Sequence, residues 1–137
     1  MRSRIEKWCS VFNRRIRTEI NRRCSPYGLN EANFFYLLIV DENPGISQNR
    51  MIEIIQRDQS IVTRHINHLV DAGWLEKRTA TSDRRKSELF LTDKGREIIP
   101  VLDRMMDDIS EESVAGLTRD EAATLERLLK KAAETYK

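Results

Sequence analysis

The chain has 137 residues, of which 39% are hydrophobic, and a formal net charge of +2, so a single domain with a modest core is expected. No apolar stretch approaches the length of a membrane span, and the basic residues 1–4 are not followed by the apolar segment of a signal peptide, so a cytoplasmic protein is expected. The two cysteines lack the spacing of a disulfide framework or a structural zinc site.

Residues 5–20 are predicted to form an amphipathic helix, because apolar side chains recur there at intervals of three and four. The helix should end before the Ser-Pro-Tyr-Gly sequence at residues 25–28. Residues 1–24 hold eight Lys or Arg and two Glu, whereas residues 97–137 hold six Lys or Arg and ten Asp or Glu. This uneven charge predicts that one face of the protein meets nucleic acid.

Residues 34–40 are apolar or aromatic without a clear period, so a buried strand and a buried helix are both open. We favour a helix, because Asn30 offers an N-cap and residues 41–45 carry a stop signal. The next helix should start after Ser47 as N-cap and end in a turn at residues 56–57. Another follows at once, from Asp58 as N-cap to Gly73 as stop signal. Two helices so closely joined are typical of a DNA-binding helix-turn-helix.

The second helix of this pair should bury one stripe, formed by Val62, Ile66 and Leu69. Its opposite face carries short or forked hydrogen-bonding side chains and no acidic residue, which is what a DNA major groove accepts. A solvated surface is the alternative, although exposed helix faces usually mix Glu and Lys. The candidate groove-facing residues are Gln59, Ser60, Thr63, Arg64, Asn67 and His68.

Two strands are predicted at residues 74–79 and 87–92, where side chains alternate in character. The loop between them carries Arg84, Arg85 and Lys86 in succession, with Asp83 beside them. Three neighbouring cations repel one another, and a bound polyanion would relieve that repulsion. The hairpin is therefore predicted to be a DNA-binding wing, with a solvated turn as the alternative.

These residues resemble the MarR family of transcriptional regulators in order and spacing. The resemblance rests on Pro44-Gly45-Ile46-Ser47-Gln48, Ile61-Val62-Thr63-Arg64, Leu69, Ala72-Gly73, Arg78, Ser82-Asp83-Arg84-Arg85, Leu91-Thr92 and Gly95. It implies a mostly α (α+β) fold: a winged helix-turn-helix with a two-stranded wing, flanked by N- and C-terminal dimerisation helices. It also implies a homodimer, with the second helix in the major groove and a wing arginine at the minor groove.

By the same resemblance, Arg84 and Arg85 take the wing positions and Asp83 orients one of them. The sequence departs from the commonest family pattern at Trp74, which is usually aliphatic, and at Ile52, which is often alanine. Neither residue belongs to the groove-facing set, so neither departure weakens the expected role in DNA binding.

The C-terminal segment is predicted to form a long helix capped by Thr92, in which Pro100 either bends the helix or falls within its first turn or two. A break at Gly116 and a last helix that begins with a capping box at residues 118–121 should follow. We expect a single domain over 1–137, with the winged part at 30–96 and a helical dimerisation part at 1–24 and 97–137. The terminal helices carry more apolar surface than one small domain can bury, which favours a homodimer.

Cys9 lies on the apolar stripe of the first helix, where some members of the family carry a peroxide-sensing thiol close to tyrosines. Tyr27 and Tyr36 keep that possibility open here, although a small core residue is the favoured interpretation, and Cys24 is interpreted as incidental. His65 and His68 are three residues apart and could share a metal, but no acidic or Cys ligand stands beside them. Groove contact is favoured for both, and no metal or cofactor is predicted.

No catalytic constellation occurs in the sequence, so an enzyme is not expected. The predicted function is sequence-specific binding of a pseudo-palindromic DNA operator by a regulator, a repressor released by a small ligand. The family's effectors are often small aromatic anions, for which Arg14 is the candidate counter-ion, with a solvated surface arginine as the favoured alternative. Two further functions stay open: a thiol-based peroxide sensor of the same fold, and a winged-helix module for protein assembly or RNA contact.

Overall fold

The computed structural model describes residues 4–137, and its elements alternate helices with three short strands. They are α1 (Ile5–Cys24), α2 (Phe34–Glu42), β1 (Ile46–Ser47), α3 (Gln48–Ile55), α4 (Gln59–Asp71), β2 (Leu75–Thr79), β3 (Ser87–Leu91), α5 (Asp93–Ser113) and α6 (Arg119–Thr135). A single 3-10 turn, Ser25–Tyr27, follows α1. Among the described helices, none has the length and apolar character needed to cross a membrane.

The three strands form one antiparallel sheet in the order β1-β3-β2. Leu75 pairs with Leu91 and Thr79 with Ser87, so β2 and β3 form the predicted hairpin, each strand one residue shorter than expected. The third strand, β1, places Ile46 opposite Leu89. The expected two-stranded wing is therefore part of a three-stranded sheet. The sequence did not indicate β1, because a segment of two residues is too short to show the alternation of a strand.

The buried stripe of α4 packs into a core shared by the winged part and α5. Val62, Ile66 and Leu69 are each fully buried, as are Leu37 of α2 and Leu102 of α5. The same core takes in the end of α1 through Ile20 and Cys24. Burial of this stripe turns the opposite, polar face of α4 outward, because an amphipathic helix packs its apolar side against the core.

The apolar segment at residues 34–40 forms a helix, as we favoured, but this helix begins at Phe34 with Asn33 as its N-cap. Asn30 instead closes the turn that precedes the helix: its side-chain oxygen accepts a hydrogen bond from the Ala32 backbone N–H at 2.9 Å. Asn33 is buried, and its side-chain oxygen accepts from the Asn30 backbone N–H at 3.0 Å. The prediction of Asn30 as N-cap is wrong, because both asparagines satisfy the same turn.

Thr92 joins the end of the sheet to the start of α5. Its hydroxyl accepts a hydrogen bond from the Gly95 backbone N–H at 3.1 Å, which is the predicted N-cap bond. It donates towards the backbone oxygen of Gly73 at 2.5 Å and, less closely at 3.1 Å, that of Trp74. A Cβ added at Gly95 would lie only 2.4 Å from the Trp74 oxygen, so only glycine fits there. Pro100 lies inside α5 on its exposed side.

Replacing Thr92 with valine is expected to lower the free energy of unfolding by about 1 to 2 kcal/mol, because the cap bond and the donated bond are both lost while the side-chain volume stays. Thr79→Val, at an exposed position of β2, is the matched control and should change stability by less than about 0.5 kcal/mol. Chemical denaturation of both variants measures the difference. Equal stabilities would contradict the role given to Thr92.

Apolar residues remain exposed at both ends of the single chain. Helix α6 has the predicted capping box between Thr118 and Glu121 but buries none of its residues, and Leu128 and Leu129 are 48% and 44% exposed. At the start of α1, Ile5 is 82% exposed. These residues lie on the predicted apolar stripes of the terminal helices.

Candidate nucleic-acid interface

Helix α4 is positioned by two left-handed backbone residues, one before it and one after it. Gln56, with a φ of 55°, ends α3 and turns the chain towards α4, and Gly73, with a φ of 85°, ends the second helix. The Gly73 conformation favours glycine for steric reasons. Asp58 occupies the predicted N-cap position, but its side chain makes no capping hydrogen bond.

The exposed face of α4 forms a shallow open depression. Thr63 is half-buried in it and the other predicted groove-facing residues are exposed. Asp71, in the last turn, also lines the depression, so the expectation of a face without acidic residues is wrong at its C-terminal end. The structure brings together all six predicted residues: Gln59, Ser60, Thr63, Arg64, Asn67 and His68.

Two of these side chains are held by neighbouring elements. Gln48 of α3 donates through its side-chain amide to the Thr63 hydroxyl at 3.2 Å, and the Lys77 ammonium of β2 donates to Asn67 Oδ1 at 2.9 Å. Gln48 and Lys77 were not predicted as site residues. Neither lies at helical spacing from the residue it contacts, so only the packing of α3 and β2 against α4 reveals them.

His65 faces the protein interior and not the open depression. It is half-buried and packs edge-on against Tyr36 of α2, with ring centroids 5.6 Å apart. Burial lowers the pKa of His65, and the nearby Arg64 lowers it further. The predicted groove contact is therefore wrong for His65. Within residues 4–137, no group of three His, Cys, Asp or Glu side chains lies close enough to hold a metal ion.

The loop of the wing carries an arginine–carboxylate pair. Asp83 accepts hydrogen bonds from the Arg85 guanidinium at 3.2 and 3.3 Å and from the Arg85 backbone N–H at 3.0 Å. The side-chain hydrogen bond to Arg85 is the main reason why the pKa of Asp83 is lowered. Arg85 is still 91% exposed, and Arg84 and Lys86 are exposed beside it. Among the three wing cations, Arg85 is thus the one that Asp83 orients.

The loop that presents these cations is closed at its base. The Ala80 backbone N–H donates to the Lys86 oxygen at 2.9 Å, and the Lys86 N–H donates to the Asp83 oxygen at 3.0 Å. Ala80 is buried, which anchors the loop to the sheet. Arg85 and Lys86 also line a small polar pocket with residues 47–49 at the start of α3, so the wing and the helix-turn-helix form one continuous surface.

Arg14 lies exposed on α1, in a depression lined by polar side chains only. Its neighbour Arg17 is paired with Glu31 by two hydrogen bonds of 2.9 Å. A separate cavity of about 290 Å³ lies between α1, α2, α3 and α4. Arg14 is not among the residues that line it: Arg17, Ile20, Glu31, Ala32, Phe34, Phe35, Tyr36, Ile55, Arg57, Ile61 and His65.

The two cysteines differ in environment. Cys9 is exposed, so its interpretation as a core residue is wrong for the single chain. The axial rise of α1 separates it from Tyr27 by more than about 20 Å. Cys24 is fully buried, its thiol donates to the Met105 sulfur at 3.6 Å, and burial raises its pKa to about 11. Cys24 is therefore a packing residue between α1 and α5, while redox sensing by Cys9 stays a prediction.

Comparisons with known proteins agree with this architecture. A model of the MarR family matches residues 29–87. The HTH-type transcriptional regulator YybA of Bacillus subtilis is 32% identical over 101 residues, which cover 74% of this chain and 67% of the relative. The multiple antibiotic resistance protein MarR of Escherichia coli is 31% identical over 113 residues, which cover 82% and 78%.

A crystal structure of a mutant of the Escherichia coli MarR protein, complexed with operator DNA, superimposes with a TM-score of 0.85 at 28% sequence identity. The superposition covers 93% of this chain and 92% of that chain. The similarity thus extends beyond the winged part to the terminal helices. The fold, the matched segment and the related sequences agree, and the chain belongs to the MarR family of transcriptional regulators.

Proposed function

We propose that this chain binds double-stranded DNA as a homodimeric, sequence-specific regulator of transcription. The observation that carries the proposal is the continuous polar face of α4, with exposed wing cations on the same surface. Short polar side chains and arginine are suited to base edges in the major groove, and exposed cations are suited to phosphate and the minor groove. The related MarR structure with operator DNA supports the same use of the fold.

The proposal assigns residues 30–96 to DNA binding and residues 1–24 and 97–137 to dimerisation. Exposed leucines on α6 and exposed apolar residues at the start of α1 support this division, because pairing with a second copy would bury them. A two-fold dimer presents its two α4 helices to successive major grooves, about 34 Å apart. The expected operator is therefore a pseudo-palindrome.

Equilibrium binding to duplex DNA at several salt concentrations tests the proposal. The full chain is expected to select particular sequences from a randomised duplex library, and its affinity should fall steeply as salt rises, because each phosphate contact releases counter-ions. A protein-assembly module would show no such affinity, and an RNA-binding module would prefer RNA of the same sequence. Either result would contradict the proposed function.

Release by a small aromatic anion is proposed as the regulatory step. A ligand shifts a protein between two conformations only by binding them unequally, so a site between the DNA-binding and dimerisation parts is the effective place. The cavity between α1 and α4 has aromatic walls and the cation Arg57, whereas Arg14 stands in a depression without apolar walls. Arg57 is thus an alternative to the sequence-based candidate Arg14.

Salicylate titrations of the DNA complex separate the two arginines. Arg57→Ala is expected to raise the salicylate concentration needed for half-release by about tenfold, because the ligand loses its counter-ion, while Arg14→Ala serves as the matched control with wild-type release. The opposite outcome would return the role to Arg14. If salicylate releases neither wild type nor either variant from DNA, the proposal of a small aromatic anion as effector is contradicted.

A further inference from the structure

Lys77 of the wing strand β2 contacts the predicted reading face of α4 directly. Its ammonium donates a hydrogen bond to Asn67 Oδ1 at 2.9 Å. We propose that Lys77 is a positioning residue that turns the Asn67 amide so that its N–H groups face the DNA, and thereby makes Asn67 select guanine over adenine. The proposal rests on the proposed function, in which α4 enters the major groove.

The chemistry of the contact fixes the orientation of the amide. An ammonium group can only donate hydrogen bonds, so the amide atom beside it must be the oxygen and not the nitrogen. The amide nitrogen, which carries two N–H donors, therefore points away from Lys77. Asn67 is exposed on the face of α4, so these donors are accessible to a partner.

The lysine itself is well placed to hold this orientation. Lys77 is half-buried, and its backbone is paired with Leu89 in the middle of the hairpin. A hydrogen bond from a charged donor is stronger than one between neutral groups. Turning the amide around would break this bond and put the N–H groups against the ammonium. The side chain is thus oriented before DNA arrives, which reduces the entropy lost on binding.

The fixed orientation has a consequence for base preference. A freely rotating asparagine usually reads adenine, because its oxygen accepts from N6 while its nitrogen donates to N7. In this protein Lys77 occupies one of the two acceptor positions of the Asn67 oxygen and holds that oxygen towards β2, so turning it to adenine N6 would weaken the bond to Lys77. Guanine presents two acceptors, N7 and O6, to the major groove, and these match the two N–H donors that Asn67 keeps. Guanine is therefore the preferred base at the position that Asn67 reads.

Selection from a randomised duplex library, followed by sequencing, tests this assignment with the full chain. Asn67→Ala identifies the position, because the preference at one base pair of each half-site should disappear. Wild type should prefer guanine there. Lys77→Met, which keeps the stem and loses the donor, should lower the guanine-to-adenine ratio at that position by about two- to tenfold, the size of one hydrogen bond. Lys77→Arg, which can still donate to the oxygen, should retain the guanine preference.

Lys86→Met is the matched control, since it removes one positive charge from the wing and has no contact with Asn67 among the described side chains. It should lower affinity without changing the base preference at the position that Asn67 reads. Wild-type preferences in Lys77→Met, with a uniform loss of affinity like that of Lys86→Met, would overturn the proposal and make Lys77 a phosphate contact. Adenine at the Asn67 position in wild type would also overturn it. A wild-type chain that selects no sequence would instead overturn the proposed function.

Discussion

Replacing Arg84 and Arg85 together with alanine is expected to lower the affinity for duplex DNA by about ten- to hundredfold near physiological salt. Both side chains are exposed in the wing and form no part of the core, so the variant should fold as wild type does and keep the proposed dimer. Their positive charge is repelled by Lys86 in the free protein and would be neutralised by phosphate in the complex. The slope of log affinity against log salt should shrink by about one unit for each phosphate that is no longer bound.

The matched control removes two exposed cations from α6, with Arg127 and Lys130 replaced by alanine. It changes the net charge by the same amount at a distance from the wing, so affinity should change little beyond a weak long-range effect. An Arg84/Arg85 variant with wild-type affinity and wild-type salt slope would show that the wing does not contact DNA. Equal losses in the two variants would mean that only net charge matters.

Replacing Leu128 and Leu129 with aspartate is expected to raise the dissociation constant of the dimer by at least about a hundredfold. In a two-fold interface each substitution occurs twice, and each places an unpaired charge where an apolar side chain stood. In the single chain both leucines are about half exposed, so a monomer should lose little stability of its own through them. Sedimentation over a range of concentrations measures the change, and affinity for a palindromic duplex should fall with it.

Aspartate also lowers helix propensity, so the control introduces the same residue elsewhere on α6. Arg127→Asp with Lys130→Asp places two aspartates on the face opposite the leucines and should leave the dimer intact. A Leu128/Leu129 variant that sediments as wild type would remove α6 from the interface. Dissociation of both variants would assign the effect to the helix and not to the apolar stripe.

The parts of the site that follow a period were predictable from the sequence. The spacing of Val62, Ile66 and Leu69 determines which side of α4 is buried and so which side chains form the open face. A pair between Asp83 and one of the two wing arginines was expected from the family resemblance, and the structure identifies that arginine as Arg85. Local spacing is sufficient in these cases, because neighbouring residues on one element are brought together whatever the tertiary fold.

The parts that depend on tertiary packing were not predictable. Lys77 reaches Asn67 only because β2 lies against α4, and nothing in the spacing of the two residues indicates that contact. Strand β1 exists because β3 offers it a pairing edge. The inward position of His65, by contrast, follows from spacing, because this residue comes three positions after Val62 and four before Leu69 and so lies beside the buried stripe, where Tyr36 packs against it.

The joint around Thr92 determines how motion would pass through this molecule. Besides the Thr92 bonds, the Lys94 ammonium donates to the Ala72 backbone oxygen at 2.8 Å and lies 4.1 Å from the Trp74 ring centroid. The backbone of Gly95 packs so closely against Trp74 that no side chain fits between them. The end of α4 is thus fixed to the start of α5, and α5 runs about 30 Å from this joint. In the proposed dimer, a tilt of α5 by about 5° over this length would move α4 by about 2.5 Å, so a slight adjustment between subunits would change the distance between the two α4 helices.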